Sequence, residues 1–210
     1  MPSPAASSSR NKPLSLLFAV AVAVSLASCA TPKVGPTGFL NAYEGLAPSD
    51  ETGAVRVSTS TALVMQAYGA IIIDDATVLA AKLSAAQSEA IRGALATSLR
   101  TELARDRTIV TTPASGTLRV RYAIAEVKTS NVALNALTTT VLGPVDYGSL
   151  ALEVEVTDAV TGERVAAMTW ARRAKATNVL GAYSPTGNAR ALAPDFAKRL
   201  AMLISKDMPG

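Results

Sequence analysis

The sequence predicts an α+β domain: a single, mostly antiparallel β-sheet with two main helices packed on one face, in the order β-α-β-β-β-β-α, after a cleaved signal peptide. Three observations predict it. Thr117–Lys128 and Gly148–Thr157 alternate apolar and polar residues, the period-two pattern of strands with one buried face. Ile91, Leu95, Leu99 and Leu103 recur every four residues, the stripe of a helix lying on a core. The 210 residues are 49% hydrophobic and 17% charged, which suits one globular domain and excludes a disordered charged tail.

The chain opens on a basic pair, Arg10 and Lys12, followed by 13 uncharged residues from Leu14 to Leu26. That length suits the apolar core of a signal peptide and falls short of the roughly 20 residues of a membrane-spanning helix. Leu26-Ala27-Ser28-Cys29 resembles a bacterial lipobox. The resemblance implies that residues 1–28 are removed and that Cys29 is lipidated, with diacylglycerol and palmitate. Two alternatives stay open: an ordinary signal peptide cut near Ala27 or Ala30, and an uncleaved anchor. On the lipobox reading residues 29–38 are lipid anchor and tether, rich in Pro and Gly, and residues 39–210 form a single periplasmic domain.

The elements follow in order. Phe39, Leu40, Tyr43 and Leu46 make a small apolar cluster that docks on the domain or forms a loose helical turn. Pro48–Thr61 is polar and weakly patterned, a loop with a short strand at Ala54–Val57. Gly69–Asp74, centred on Ile71-Ile72-Ile73, is a strand buried on both faces and therefore central. Ser84 with Gln87 fits a capping box that starts a helix to Arg105. Thr108–Thr112 is a short strand, and Pro113–Gly116 a turn.

Ala159–Gly162 reads as a type I turn with a bulge, joining two strands in a hairpin. In that register Val154 opposes Met168 and Leu152 opposes Trp170, which turns the one Trp inward. A last helix starts near Ala193, with Pro194 in its first turn. It carries Leu192, Phe196, Leu200, Leu203 and Ile204 on one face.

The chemistry is bounded first by what is missing. There is no His and one Cys, which excludes His-dependent nucleophile machinery, His-ligated metals, internal disulfides and multi-cysteine metal sites. No catalytic residues, cofactor or metal are expected. Removing residues 1–28 takes away Arg10 and Lys12 and leaves a balance of +2, so nucleic acid is not expected as a partner.

Asp74-Asp75 point to opposite sides of a strand and read as its polar end. Glu153 and Glu155 share a face, as do Arg119 and Arg121, and are expected to form an exposed cross-strand charge ladder. Arg172, Arg173 and Lys175 are a solvated strand end, or a contact for lipid head groups or an anionic envelope polymer. The long segment from Lys128 to Gly148 exceeds the usual length of a strand connection. It reads as a lid over the sheet edge or as a recognition surface. Asn131 and Asn135, with Thr138–Thr140, are the residues expected to bind a partner.

Thr37-Gly38-Phe39-Leu40 with Tyr43 and Leu46, the strand, capped helix and strand, then Thr129–Asn135 and Asp158–Glu163, follow the lipobox in this order. Together they resemble a family of bacterial envelope lipoproteins designated domain of unknown function 3313, over about Thr37 to Ile204. Pro48–Gln66 departs from the family's usual pattern. The resemblance implies a Gram-negative envelope lipoprotein with no assigned activity, and supplies no catalytic residues.

Ala30 stands where Asp would retain a lipoprotein at the inner membrane, so similarity to such lipoproteins implies the outer membrane, with the domain facing the periplasm. The expected function is a lipid-anchored binding or accessory module without catalysis, whose partners are the membrane, through Cys29, and another envelope protein. The alternative is an envelope hydrolase using carboxylate, Ser or Lys residues. It would need Asp74, Asn131, Asn135, Glu153 and Glu155 to gather in one pocket.

Overall fold

Alternation and register build the centre of this protein. The computed structural model describes residues 32–139 and 143–205. Its strands are β1 (Ala47–Pro48), β2 (Val55–Thr59), β3 (Ala70–Ile73), β4 (Thr77–Val78), β5 (Thr108–Ile109), β6 (Thr117–Lys128), β7 (Ser149–Asp158) and β8 (Arg164–Arg173). Helix α1 (Ala62–Gln66) precedes β3, and α2 (Ala85–Leu103) lies between β4 and β5. Helix α3 (Val132–Thr138) interrupts the β6–β7 connection, while α4 (Gly187–Ala191) and α5 (Ala193–Leu203) follow β8.

The strands form one open, mixed sheet in the order β1-β2-β8-β7-β6-β3-β5, with β4 also beside β6. From β1 through β2, β8 and β7 to β6 each strand is antiparallel to the next. β3 is parallel to β5 and β6, and β4 is parallel to β6. The fold is α+β, as the sequence predicts.

The hairpin has the expected register, with Leu152 opposite Trp170 and Val154 opposite Met168. Gly162 is left-handed at φ 74° as the turn requires, but the bulge lies within the strands, between Val156 and Thr157. The turn closes with Asp158 rather than Ala159 facing Glu163, the Asp158 amide donating to the Glu163 carbonyl at 2.9 Å. The Asp158 carboxylate fixes that turn by accepting from the amides of Val160 and Thr161, both at 2.8 Å. Those bonds hold its pKa below the ordinary carboxylate range.

One face of the sheet carries the helices. Leu150, Leu152, Val154, Val156, Met168 and Trp170 pack there with Ile91, Leu95, Leu99 and Leu103 of α2 and Phe196 and Leu200 of α5. Trp170 meets Phe196 edge to face, with ring centroids 5.6 Å apart. Ser84 Oγ accepts from the Gln87 amide at 3.2 Å while Gln87 Oε1 accepts from the Ser84 amide at 2.9 Å. The capping box therefore starts α2 as the sequence indicates. Helix α5 begins at Ala193 with Pro194 in its first turn.

Two expectations are corrected. The segment 48–61 is more than a loop: β2 extends to Thr59 and pairs with β8 along its whole length, and β1 covers its outer edge. Its pattern is weak because only the two residues of β1 lie outside it, so few of its side chains reach the core. The second correction concerns the other face of the sheet, expected to be wet. Residues 37–46 lie across it as a strap, with Leu40 and Leu46 buried on Ala167 and with Phe39 and Tyr43 beside them.

Candidate functional site

Two regions outside the helix-side core concentrate polar side chains: the strap face of the sheet and the lid at one of its ends. On the strap face the residues of β7 are Ala151, Glu153 and Glu155. Their neighbours in register are Ala171, Thr169 and Ala167 on β8, and Glu126, Ala123 and Arg121 on β6. The alanines keep this face low, so a single segment of chain can lie on it. Glu153 and Glu155 are both 0% exposed, which corrects the expectation of a solvated charge ladder.

A buried carboxylate must be fully hydrogen-bonded to be tolerated, and the strap supplies the donors. Glu153 accepts from the Thr37 hydroxyl (2.7 Å), the Tyr43 hydroxyl (2.8 Å) and the Thr37 amide (3.3 Å). Glu155 accepts from the Asn41 side-chain amide at 2.9 Å and the Asn41 backbone amide at 3.3 Å.

Arg121 lies opposite Glu155 across the β6–β7 ladder, as its register predicts, at 3.4 Å. Its guanidinium also sits 5.3 Å from the centre of the Phe39 ring. Arg119 pairs instead with Asp74, at 2.8 and 3.1 Å. Arg164 donates to the carbonyl of Ala42 at 2.7 Å. The result is a clamp that fixes where the chain preceding the domain leaves it.

The lid is built from residues 129–139 and 143–148 after β6 and 174–191 after β8. Asn131 caps α3, its Oδ1 accepting from the Leu134 amide at 3.0 Å. Asn135 is 0% exposed. Its Nδ2 donates to the carbonyls of Asp146 (2.8 Å) and Ala182 (2.9 Å), and its Oδ1 accepts from the amides of Val145 (3.0 Å) and Asp146 (2.9 Å). All four hydrogen-bonding positions of that amide are used inside the lid.

Asn188 donates to Ser130 Oγ at 3.1 Å and accepts from Asn178 at 2.8 Å. The Thr139 and Tyr183 hydroxyls meet at 2.5 Å. Gly148 closes the lid onto β7: at φ 63° a side chain is strained, and a Cβ would stand 2.5 Å from the Lys128 carbonyl. Burial pushes the Asp146 carboxyl up. The Lys128 ammonium at 3.0 Å and the amides of Asn131 and Gly148 outweigh it and hold the pKa below the ordinary range.

The residues named from the sequence therefore separate. Glu153 and Glu155 lie under the strap and Asn131 and Asn135 in the lid. Asp74 lies toward the opposite end of the sheet, in a shallow cleft with Arg119, Arg121 and the 157–162 turn. Arg172 pairs with Asp50 at 2.8 Å. Cys29, like Thr140, falls outside the described residues.

Among the described residues no cluster of His, Cys, Asp and Glu is arranged to hold a metal ion. No helix among them is long and apolar enough to cross a membrane. Sequence reasoning missed Thr37, Asn41 and Tyr43 as partners of the two glutamates. The signal was the run of alanines in register with the glutamates, where a wet face would carry longer side chains.

Residues 35–200 match the model of a family described as "Protein of unknown function (DUF3313)", and the chain belongs to that family. No curated protein matches the sequence. Among solved structures, a PelC dodecamer from Paraburkholderia phytofirmans is similar over 70% of this chain and 95% of its own, at 12% identity and TM-score 0.44. The hypothetical protein CT253 from Chlamydia trachomatis is similar over 67% and 99%, at 11% identity and TM-score 0.42. A DUF4136 family protein from Bacteroides thetaiotaomicron is similar over 73% and 97%, at 10% identity and TM-score 0.39.

Proposed function

We propose that this member of the DUF3313 family is a lipoprotein of the Gram-negative envelope. In this reading it is anchored through Cys29 to the outer membrane and faces the periplasm, where its domain serves as a binding or accessory module without catalysis of its own. The observation that carries the reading is the buried clamp on the strap. Thr37 is tied to the sheet eight positions after Cys29, so an acylated Cys29 would tether a domain whose attachment point is rigid. Two buried carboxylates committed to a strap make sense where a pull on the N-terminal segment has to be borne by the fold.

The separation of the described residues favours a binding module over a hydrolase: Glu153 and Glu155 lie under the strap, Asn131 and Asn135 in the lid, and Asp74 in the cleft toward the other end of the sheet. The test is metabolic labelling with a palmitate precursor in cells making the wild-type chain or Cys29→Ala. The wild type is expected to take up label and fractionate with the outer membrane. Cys29→Ala is expected to stay unlabelled and unprocessed. Label on the variant, or a wild-type protein released unlabelled into the periplasm, would overturn the anchor. In-cell crosslinking of the labelled protein would then identify its envelope partner.

A further inference from the structure

The lid end of the sheet joins three features that belong together at a bilayer surface. The first is apolar. Leu137 on α3 is 80% exposed and Leu180, opening the 3-10 turn Leu180–Tyr183, is 87% exposed, with Leu134 and Val179 partly exposed beside them in sequence. Single exposed leucines are ordinary on a protein surface. These stand on two segments fastened to each other by Asn135 to Ala182 and Thr139 to Tyr183, so the fold holds them outward together. The second is charge: Arg173 and Lys175, both exposed, lie where β8 runs into the lid, and Lys128, paired with Asp146 at 3.0 Å, lies at the end of β6 beside them. Leucines bordered by basic residues are the composition of an interfacial membrane contact.

The third is the path of the chain. Thr37 is bound at Glu153 and Asn41 two residues further along β7 at Glu155, so the strap runs in the direction of β7. Upstream of Thr37 it points to the end where β7 begins, opposite Lys128 and Arg173, which is the lid end. The eight residues from Cys29 to Thr37 span at most about 29 Å. The four residues from Glu153 back to Ser149 cover only about 13 Å. To reach the other end the chain would have to reverse over its own strap.

Resting on the lipid-anchored reading, we propose that the lid end lies on the bilayer. Leu137 and Leu180 enter the headgroup boundary and the neighbouring basic residues meet anionic phospholipid headgroups. The sheet then stands on the membrane with the 158–163 hairpin turned away from it.

The test uses the full chain, made in cells, purified with its lipid and reconstituted into phosphatidylethanolamine–phosphatidylglycerol vesicles. Cys29 is the only cysteine and its sulfur is occupied when acylated, so Leu137→Cys, Leu180→Cys and Val160→Cys each give one free thiol for an environment-sensitive fluorophore. All three sites are exposed, and Val160 lies in the hairpin turn. Nitroxide-labelled lipids are expected to quench the probes at 137 and 180 at least threefold more strongly than the probe at 160. Equal, weak quenching at all three on protein that still floats with the vesicles would overturn the docking surface and leave the anchor standing. Protein that does not float and whose Cys29 reacts with maleimide would overturn the anchor, and the docking surface with it.

Discussion

The two faces of the sheet are both closed, and they are closed by different physics. The helix face is aliphatic and aromatic, built by Leu152, Val154, Val156 and Trp170 against α2 and α5. It is stabilised by removing apolar area from water at about 25 cal/mol per Å². The strap face is alanine and glutamate, covered by one short segment and held by directed hydrogen bonds to Glu153 and Glu155. Hydrophobic burial is non-directional and survives small shifts. Hydrogen bonds to buried carboxylates fix position and are weak in net terms, about 1.5–3 kcal/mol each when charged. The helix face should therefore set global stability, and the strap face should set where the N-terminal segment runs.

The largest expected effect breaks the helix face. Leu95 is fully buried, and Leu95→Asp places an unpaired charge in the core, at a cost of several kcal/mol against a total of about 5–15. Cooperative thermal unfolding should be lost, or soluble protein not recovered. A variant melting within a degree or two of wild type would mean that α2 does not cover this face.

The lid tests whether polar stitching can matter as much as packing. Asn135→Ala leaves two amides and two carbonyls without their partner, an expected loss of about 2–3 kcal/mol, read as a lowered melting temperature. Asn131→Ala, a lost cap, should cost about 1 kcal/mol.

Glu153→Ala sharpens the contrast between the faces. It should free the strap at a cost of about 1–2 kcal/mol. Limited proteolysis should then cut within residues 37–46, while the main unfolding transition moves only slightly. A main transition lowered as far as by a core substitution would show the strap to be part of the global core.

The smallest effect at neutral pH is a titration. Tyr122, on the helix face, is pushed up to about 12 by burial. Its folded value is raised, so its contribution is complete below the unfolded value near 10 and is lost as pH rises from there to about 12. Tyr122→Phe should change stability little at pH 7 and flatten the decline across that alkaline window. Asp146 and Asp158 are depressed. Their contributions are present above the ordinary carboxylate pKa and disappear as pH falls through the folded values. Protection factors against amide exchange should accordingly fall first at the lid and the hairpin turn in acid.

How much of this was legible depends on the range of the interaction. The α2 stripe and its capping box, the β6 and β7 alternation, the hairpin register that turns Trp170 inward and the start of α5 are local patterns, and each appears where the sequence places it. The site was only partly legible. Asn131 and Asn135 stood out by composition, but their hydrogen-bond partners are up to 47 residues away, a distance over which periodicity carries no information.

The sequence alone determined which residues alternate, where helices begin and that Glu153 and Glu155 share a face. Tertiary structure decided that this face is dry. Period two assigns side chains to sides of a strand and says nothing about what covers each side. Thr37, Asn41 and Tyr43 lie more than 100 residues from the glutamates they bind. Only the folded chain brings donors and carboxylates together, and their burial is settled by that meeting and by no local preference.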